Sequence, residues 1–187
     1  RCGTALSSHE VALGYRDVVD PSVYVRFPVR EAAGGAGAQV GDELVVWTTT
    51  PWTLVSNAAV AVDPDLTYVR VRVPGQDAPL IVAEALVERV LGEDAEVVGR
   101  FPGRALEGVR YEPPFPFLAS DVYGPKGHSV LLADFVTAED GSGLVHTAVA
   151  FGEDDFRLGQ EAGLTVVNPV LPDGTYDERI GPYAGRF

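Results

Sequence analysis

Two segments of this chain alternate apolar and polar side chains with a strict two-residue period, and that alternation limits the fold more than any other feature. Residues 22–29 place Val23, Val25 and Phe27 on one side and Tyr24 and Arg26 on the other, punctuated by Pro21 and Pro28. Residues 67–73 set Val69, Val71 and Val73 against Tyr68, Arg70 and Arg72. A period of two describes half-buried β-strands. Further strands are expected over 43–49, 58–62, 95–99, 129–136, 143–148 and 165–167, with a turn or hairpin at Asp173-Gly174. Many short strands punctuated by Gly and Pro predict a β-rich α+β fold built on a small closed or nearly closed barrel. Helices are fewer. One is expected over 83–91, with Leu86, Val90 and Leu91 on one face and Gly92 as its stop, and one from Glu153 to Glu161 or Ala162, ended by Gly163. The Gly- and Ala-rich segment 31–41, "EAAGGAGAQVG", reads as a mobile loop between strands.

The chain has 187 residues, 46% of them apolar, which suits a single domain over 1–187 with a real core. It shows no internal repeat and no separate second domain. No apolar run approaches the ~18 residues of a membrane span, and no basic stretch precedes an apolar signal region, so a soluble cytoplasmic protein is the default expectation. The single cysteine, Cys2, agrees with a reducing compartment. The absence of methionine and the start at Arg1 suggest a piece of a longer protein, with a monomer as the default state. A formal net charge of −13 argues against tight autonomous binding to nucleic acid, which needs clustered Lys and Arg to neutralise phosphates.

Two stretches stand out chemically. "WTTTPWTLVSN", residues 47–57, packs four threonines, two tryptophans and a proline behind an apolar strand. Strand and turn propensities account for one or two threonines, hardly all four. The second stretch, "EDGSGLVHTAVAFGEDDF", residues 139–156, has a Gly-rich turn, a strand delivering His146, and then Glu153, Asp154 and Asp155 in the first turn of a helix. Those acids have a structural explanation in the helix dipole, worth about 0.3–1 kcal/mol each, and His146 has one as a satisfied core histidine. The functional alternative is that one carboxylate faces a cleft and captures an ammonium group.

Several chemistries lack their signatures. There is no local zinc set, P-loop, G-x-G-x-x-G turn or G-x-S-x-G elbow in the sequence. Threonine hydroxyls without a neighbouring base are poor nucleophiles but good donors and acceptors for a polar substrate or a water.

The run Trp47-Thr48-Thr49-Thr50-Pro51-Trp52-Thr53-Leu54 with Asn57, together with Gly143-Leu144-Val145-His146 and residues 150–155, "AFGEDD", resembles the editing domain of isoleucyl-tRNA synthetase. "SSHEVALGY", "DPSVYVRFPV" and "NPVLPDGTYDE" extend the resemblance over essentially the whole chain. Pro51-Trp52 is the diagnostic dipeptide, since the leucyl and valyl relatives typically carry Arg-Pro there. The chain departs from the family at Val55 and Val149, where proline is usual, and at Ser142, where threonine is usual. Residues 1–15 are then a junction region, and Cys2 resembles the last cysteine of a zinc knuckle whose other ligands lie elsewhere.

The resemblance implies the valyl/isoleucyl/leucyl editing-domain fold and a second sieve. One methylene distinguishes isoleucine from valine too weakly, by about 150-fold in this family, so the resemblance implies a separate site that hydrolyses the smaller ester. It implies hydrolysis of valyl-tRNA(Ile), and also of valyl-adenylate, with no cofactor or metal in this domain, while ATP, magnesium and structural zinc would belong to the parent enzyme. The implied partners are the aminoacylated 3′ end of tRNA(Ile) and the rest of the synthetase. Thr48, Thr49, Thr50, Asn57, His146 and Asp155 would carry the reaction. Trp47, Trp52 and Thr53 would join His146 and Asp155 in binding substrate, Asp155 pairing with the α-ammonium and His146 forming the wall that excludes isoleucine. Water activation stays open between the free ribose hydroxyl and His146 as general base, the latter ranked lower. A non-catalytic module that holds the acceptor end is the competing class.

Overall fold

The computed structural model describes residues 7–15, 19, 21–34 and 37–187. Cys2 lies outside the described residues. Nine strands are present among them: β1 (Val23–Glu31), β2 (Glu43–Thr48), β3 (Ala59–Val62), β4 (Thr67–Arg72), β5 (Leu80–Ala83), β6 (Glu96–Pro102), β7 (Arg110–Tyr111), β8 (Ser129–Leu132) and β9 (Val145–Thr147). Three α-helices accompany them: α1 (Ser8–Leu13), α2 (Val87–Leu91) and α3 (Glu153–Ala162).

Six strands close on themselves in the order β1-β7-β8-β3-β9-β2, with β1 and β2 pairing to complete the ring. The barrel is mixed: β3 runs parallel to β8, and β9 parallel to β2, while the other four pairings are antiparallel. The sheet branches at β2. One edge of β2 pairs with β1 from Val23↔Thr48 to Pro28↔Glu43. Its other edge is shared, meeting β5 at Glu43 and Leu44 and β9 at Trp47. From β5 the sheet continues through β4 to β6 as a three-stranded wing.

The alternation explains two cores. Val60 and Val62 of β3 point into the barrel with Phe27, Leu44 and Val46, whereas Ala59 and Ala61 pack outward against Leu131, Val149 and Leu158 of α3. All four residues of β3 are therefore buried. Leu164, Val167 and Ile180 from the C-terminal segment complete the outer core. In α3 the approach is close enough that a Cβ at Gly159 would lie 2.6 Å from Val149 Cγ1.

Several sequence expectations are corrected. The helix expected over 83–91 is shorter: Ala83 ends β5, residues 84–86 form a single 3-10 turn, and α2 occupies only Val87–Leu91. The preceding Leu80-Ile81-Val82 is a short apolar run without a period, which periodicity alone cannot tell from a buried helix segment. Residues 165–167 form no strand, since the Thr165 N–H bonds to the Tyr123 carbonyl in a loop contact instead of a ladder. The strand expected over 129–136 stops at Leu132, where its partner β3 ends at Val62. Tyr68, set opposite the valines by the alternation, does not share the exposure of Arg72 on that side. It is fully buried, with its hydroxyl donating to the Gly143 carbonyl at 2.6 Å and accepting the Asp63 N–H at 3.1 Å. The glycine-rich loop is docked along its second half: Ala38 is buried, and Asp42 takes the Gln39 N–H at 2.8 Å and the Arg70 guanidinium. At Asp173-Gly174 the turn is present, spanned by a Val170–Tyr176 bridge. Among the described residues no helix is long and apolar enough to cross a membrane.

Candidate functional site

Strand β2 ends at Thr48 because Pro51 has no N–H to continue a ladder, and its fixed φ suits the first residue of a helix. The chain turns there into a 3-10 helix over Pro51–Ser56, closed by Asn57, whose N–H bonds to the Leu54 carbonyl. This turn folds the threonines onto one another. The Thr50 N–H donates to Thr48 Oγ1 at 3.1 Å, and Thr50 Oγ1 lies 3.2 Å from both Thr48 Oγ1 and Thr53 Oγ1. Thr53 Oγ1 donates to the Thr50 carbonyl at 2.8 Å.

The second segment is anchored by three elements. Its Ser142 carbonyl accepts from Ala83 of β5, its Gly143 carbonyl from Tyr68 of β4, and its Leu144 carbonyl from Trp47 of β2. Gly141 and Gly143 both have positive φ, +69° and +77°. A Cβ at Gly141 would strike the Trp47 ring at 2.7 Å, and one at Gly143 would collide with Ala83 Cβ. Glycine is required there for both conformation and space. So fixed, β9 sets His146 opposite Val60.

The two segments meet at His146. Its Nε2 lies 2.9 Å from Thr53 Oγ1 and its Nδ1 2.8 Å from Asn57 Nδ2. The proton positions follow from groups with no choice. Asn57 Nδ2 donates to the Ala59 carbonyl at 2.9 Å, which fixes the orientation of the amide, and Tyr111 donates to Asn57 Oδ1 at 2.6 Å. The second Nδ2 hydrogen therefore points at His146 Nδ1, which must be the unprotonated nitrogen, and Nε2 carries the hydrogen. Thr53 uses its own hydrogen on the Thr50 carbonyl and accepts from His146. Thr50 then donates to Thr53, and Thr48 donates to Thr50. Burial draws the His146 pKa down to about 4, against the opposing Thr53 contact. A neutral imidazole donating through Nε2, with Nδ1 occupied, has no lone pair to offer a water in this arrangement.

Asp155 arrives from α3, three residues past its N-cap Gly152, and its Oδ2 accepts the Ala148 N–H at 3.0 Å. Burial is the first cause that raises its pKa, with Asp154 adding to the rise and the Ala148 bond opposing it. A half-buried carboxylate held above its ordinary value is poised to gain from a cationic partner. Glu153 and Asp154 remain exposed on the helix surface, where the structural explanation suffices for them.

Trp47, Thr48, Thr49, Thr50, Trp52, Thr53, His146 and Asp155 all line one cleft of about 220 Å³. Val145, Phe151 and Gly152 complete its wall. Trp52 and Phe151 meet edge to face at 5.2 Å. Thr49 is exposed at the rim. Asn57 is placed differently from the expectation of a reacting group: it is buried behind His146, every polar atom of its side chain is engaged, and it does not line the cleft. Sequence reasoning missed Phe151 as a wall and Tyr111 as a partner of Asn57. Tyr111 lies in a two-residue strand, too short to show a period. Among the described residues no group of three or more His, Cys, Asp or Glu side chains is placed to hold a metal ion.

No family model matches the chain. The isoleucine–tRNA ligase of Streptomyces coelicolor is 51% identical over 189 residues, covering 100% of this chain and 17% of that protein. The isoleucine–tRNA ligase of Thermus thermophilus is 48% identical over 190 residues, with the same shares. The chain thus spans about 17% of the length of the curated relatives it matches. Among solved structures, the crystal structure of GlLeuRS-CP1 superposes with a TM-score of 0.58 at 15% identity, over 72% of this chain and 57% of that one, a likeness of fold. With half of its residues shared along its whole length and a barrel of the CP1 type, this chain belongs to the isoleucine–tRNA ligase family.

Proposed function

We propose that this chain is the proofreading domain of an isoleucine–tRNA ligase and hydrolyses the ester between valine and the terminal adenosine of tRNA(Ile). The observation that carries the reading is that Thr50 and Asp155, over a hundred residues apart in the chain, line the same cleft, so that a run of hydroxyls and a carboxylate share one site. Asp155 holds the α-ammonium. Thr49 and the Thr48–Thr50–Thr53 array bind the ribose and the ester, and Trp47 and Trp52 flank the nucleoside. An aminoacyl ester is already activated, so positioning a water and polarising the carbonyl suffice without a covalent intermediate. The water adds to the ester carbonyl as the neighbouring free ribose hydroxyl takes its proton and passes its own to the esterified ribose oxygen, whose bond to the carbonyl carbon breaks, leaving free valine and a ribose hydroxyl. His146 serves as a wall, since both of its nitrogens are engaged within the protein.

The acidic balance, −13 overall, favours a second reading in which the isolated chain only holds the acceptor end and depends on the rest of the synthetase for turnover. One assay decides. The purified chain is incubated with valyl-tRNA(Ile) and isoleucyl-tRNA(Ile), and amino-acid release is followed. Release of valine alone supports proofreading. Binding without release supports the module, and equal release of both amino acids removes the sieve.

A further inference from the structure

Tyr111 lies outside the cleft, on β7 at the opposite side of Asn57 from His146. It is buried, and burial holds its phenol protonated, so its O–H is a standing donor. That donor is spent on Asn57 Oδ1 at 2.6 Å. We propose that Tyr111 is a positioning residue for the cleft: through the Asn57 carboxamide it fixes His146 as the Nε2–H tautomer, and so sets the direction of the hydroxyl chain formed by Thr48, Thr50 and Thr53.

Asn57 is held at each polar group. Its N–H bonds to Leu54, its carbonyl accepts from His128 Nε2 at 3.0 Å, and Nδ2 is divided between Ala59 and His146. His128 itself sits at φ +52°, a conformation unusual for a non-glycine residue, and its N–H is tied to the Ala58 carbonyl. Backbone in that region persists only where the surroundings over-determine it. The alternative arrangement is a half-turn of the Asn57 amide. Oδ1 would then face His146, Nδ1 would take the hydrogen, and Nε2 would become an acceptor open to the Thr53 hydroxyl. In that state His146 presents a lone pair to the hydroxyl array. Tyr111 opposes it because its oxygen would then accept from Nδ2 while its own buried hydrogen lost Oδ1 as acceptor, and the Ala59 carbonyl opposes it by repelling Oδ1 from the other position. The lock therefore keeps His146 a donor and a wall, and leaves water activation to the substrate.

The functional consequence rests on the proofreading reading, but the tautomer is readable without substrate. The chain, labelled with ¹⁵N-histidine, is compared with Tyr111→Phe and Asn57→Asp by long-range ¹H–¹⁵N correlation. In the unaltered chain His146 Nδ1 should resonate as an unprotonated nitrogen and Nε2 as a protonated one. In Tyr111→Phe the Nδ1 signal should move toward the protonated position, and in Asn57→Asp, whose carboxylate can only accept, the two nitrogens should exchange character. Valine release by Tyr111→Phe should fall roughly tenfold in kcat with little change in KM. A protonated Nδ1 in the unaltered chain overturns the proposal, as do unchanged ring shifts in Tyr111→Phe. Should Tyr111→Phe fail to fold, Asn57→Asp carries the test, and an unprotonated Nδ1 there overturns the lock. Correct tautomers in a chain that releases no valine would remove the proofreading reading and leave the lock standing.

Discussion

Thr53 and His146 meet at 2.9 Å between Oγ1 and Nε2 across 93 residues of sequence. The contact joins the 3-10 turn that follows β2 to the strand β9, and it makes the histidine a structural part of the threonine array. Because Thr53 gives its own hydrogen to the Thr50 carbonyl, it can only accept from the ring, and the cleft is built around a neutral imidazole.

The wall role proposed for His146 predicts a change of specificity on its removal. His146→Ala should admit the larger ester, so that isoleucyl-tRNA(Ile) is hydrolysed and the preference for valine shrinks by about 10- to 100-fold, the range that one methylene commands in an apolar pocket. Comparing kcat/KM for the two esters checks this. Retention of full discrimination would remove His146 from the sieve.

Asp155 should act on binding and orientation of the ammonium. Asp155→Asn keeps an acceptor for the Ala148 N–H, so the helix should stay in place, while the loss of a charged hydrogen bond should lower kcat/KM for the valyl ester by roughly 10- to 100-fold. Unaltered kinetics with the same substrate would place the ammonium elsewhere.

Two threonines of the same run should differ in what they do for stability. Thr53→Val strands the buried His146 Nε2–H, and is expected to cost about 1–3 kcal/mol. Thr49, exposed at the rim, should tolerate Val within about 0.5 kcal/mol. Urea unfolding midpoints of the two variants measure the contrast, and equal midpoints would contradict the hydrogen-bond chain.

Stability should depend on pH through His146. Its pKa is about 4 in the folded chain against 6.5 for an unperturbed histidine, with burial as the first cause. Between those values the unfolded chain binds a proton that the folded chain refuses, so stability falls as pH drops through the window, by on the order of 3 kcal/mol at its acid end. His128, also lowered by burial first, adds in the same direction. Asp155 acts oppositely, because a raised carboxylate pKa stabilises the fold below its unfolded value and loses that contribution as pH rises. Urea midpoints between about pH 7 and 4.5, in the unaltered chain and in His146→Gln, should converge toward acid pH. A constant difference would show that His146 titrates normally.

Gly141, beneath Trp47, should be irreplaceable for reasons of space. Gly141→Ala would drive a methyl group into the indole at 2.7 Å from a backbone at φ +69°. It should lower stability by about 1–3 kcal/mol and shift the fluorescence of Trp47, whereas Gly75→Ala, also at positive φ but facing open space, should show only the conformational part of that cost. Matching fluorescence in both variants would mean that Trp47 yields without consequence.

The strands of the barrel wall are legible in the sequence because alternation is a local property. Val23, Val25 and Phe27 announce which face of β1 is inside whatever the partner strand is, and Pro51 announces where β2 ends. Strands β5 and β7 are not legible, since four apolar residues in one and two residues in the other carry no period, and they become strands only because β4 and β1 offer them a ladder. Alternation sets Tyr68 opposite the valines but does not show that this face is covered too, since its hydroxyl is held by the Gly143 carbonyl, 75 residues away.

The sequence alone determined the inventory of the candidate site, because a dense run of hydroxyls and a carboxylate at a helix start are visible as residue types in order. Tertiary structure decided their roles. Whether His146 donates or accepts, and whether Asn57 faces the cleft or stands behind it, depends on donors and acceptors contributed by Ala59, Tyr111 and Thr53 from separate strands and turns. Hydrogen-bond direction is a property of the closed network, and no single segment of the chain contains it.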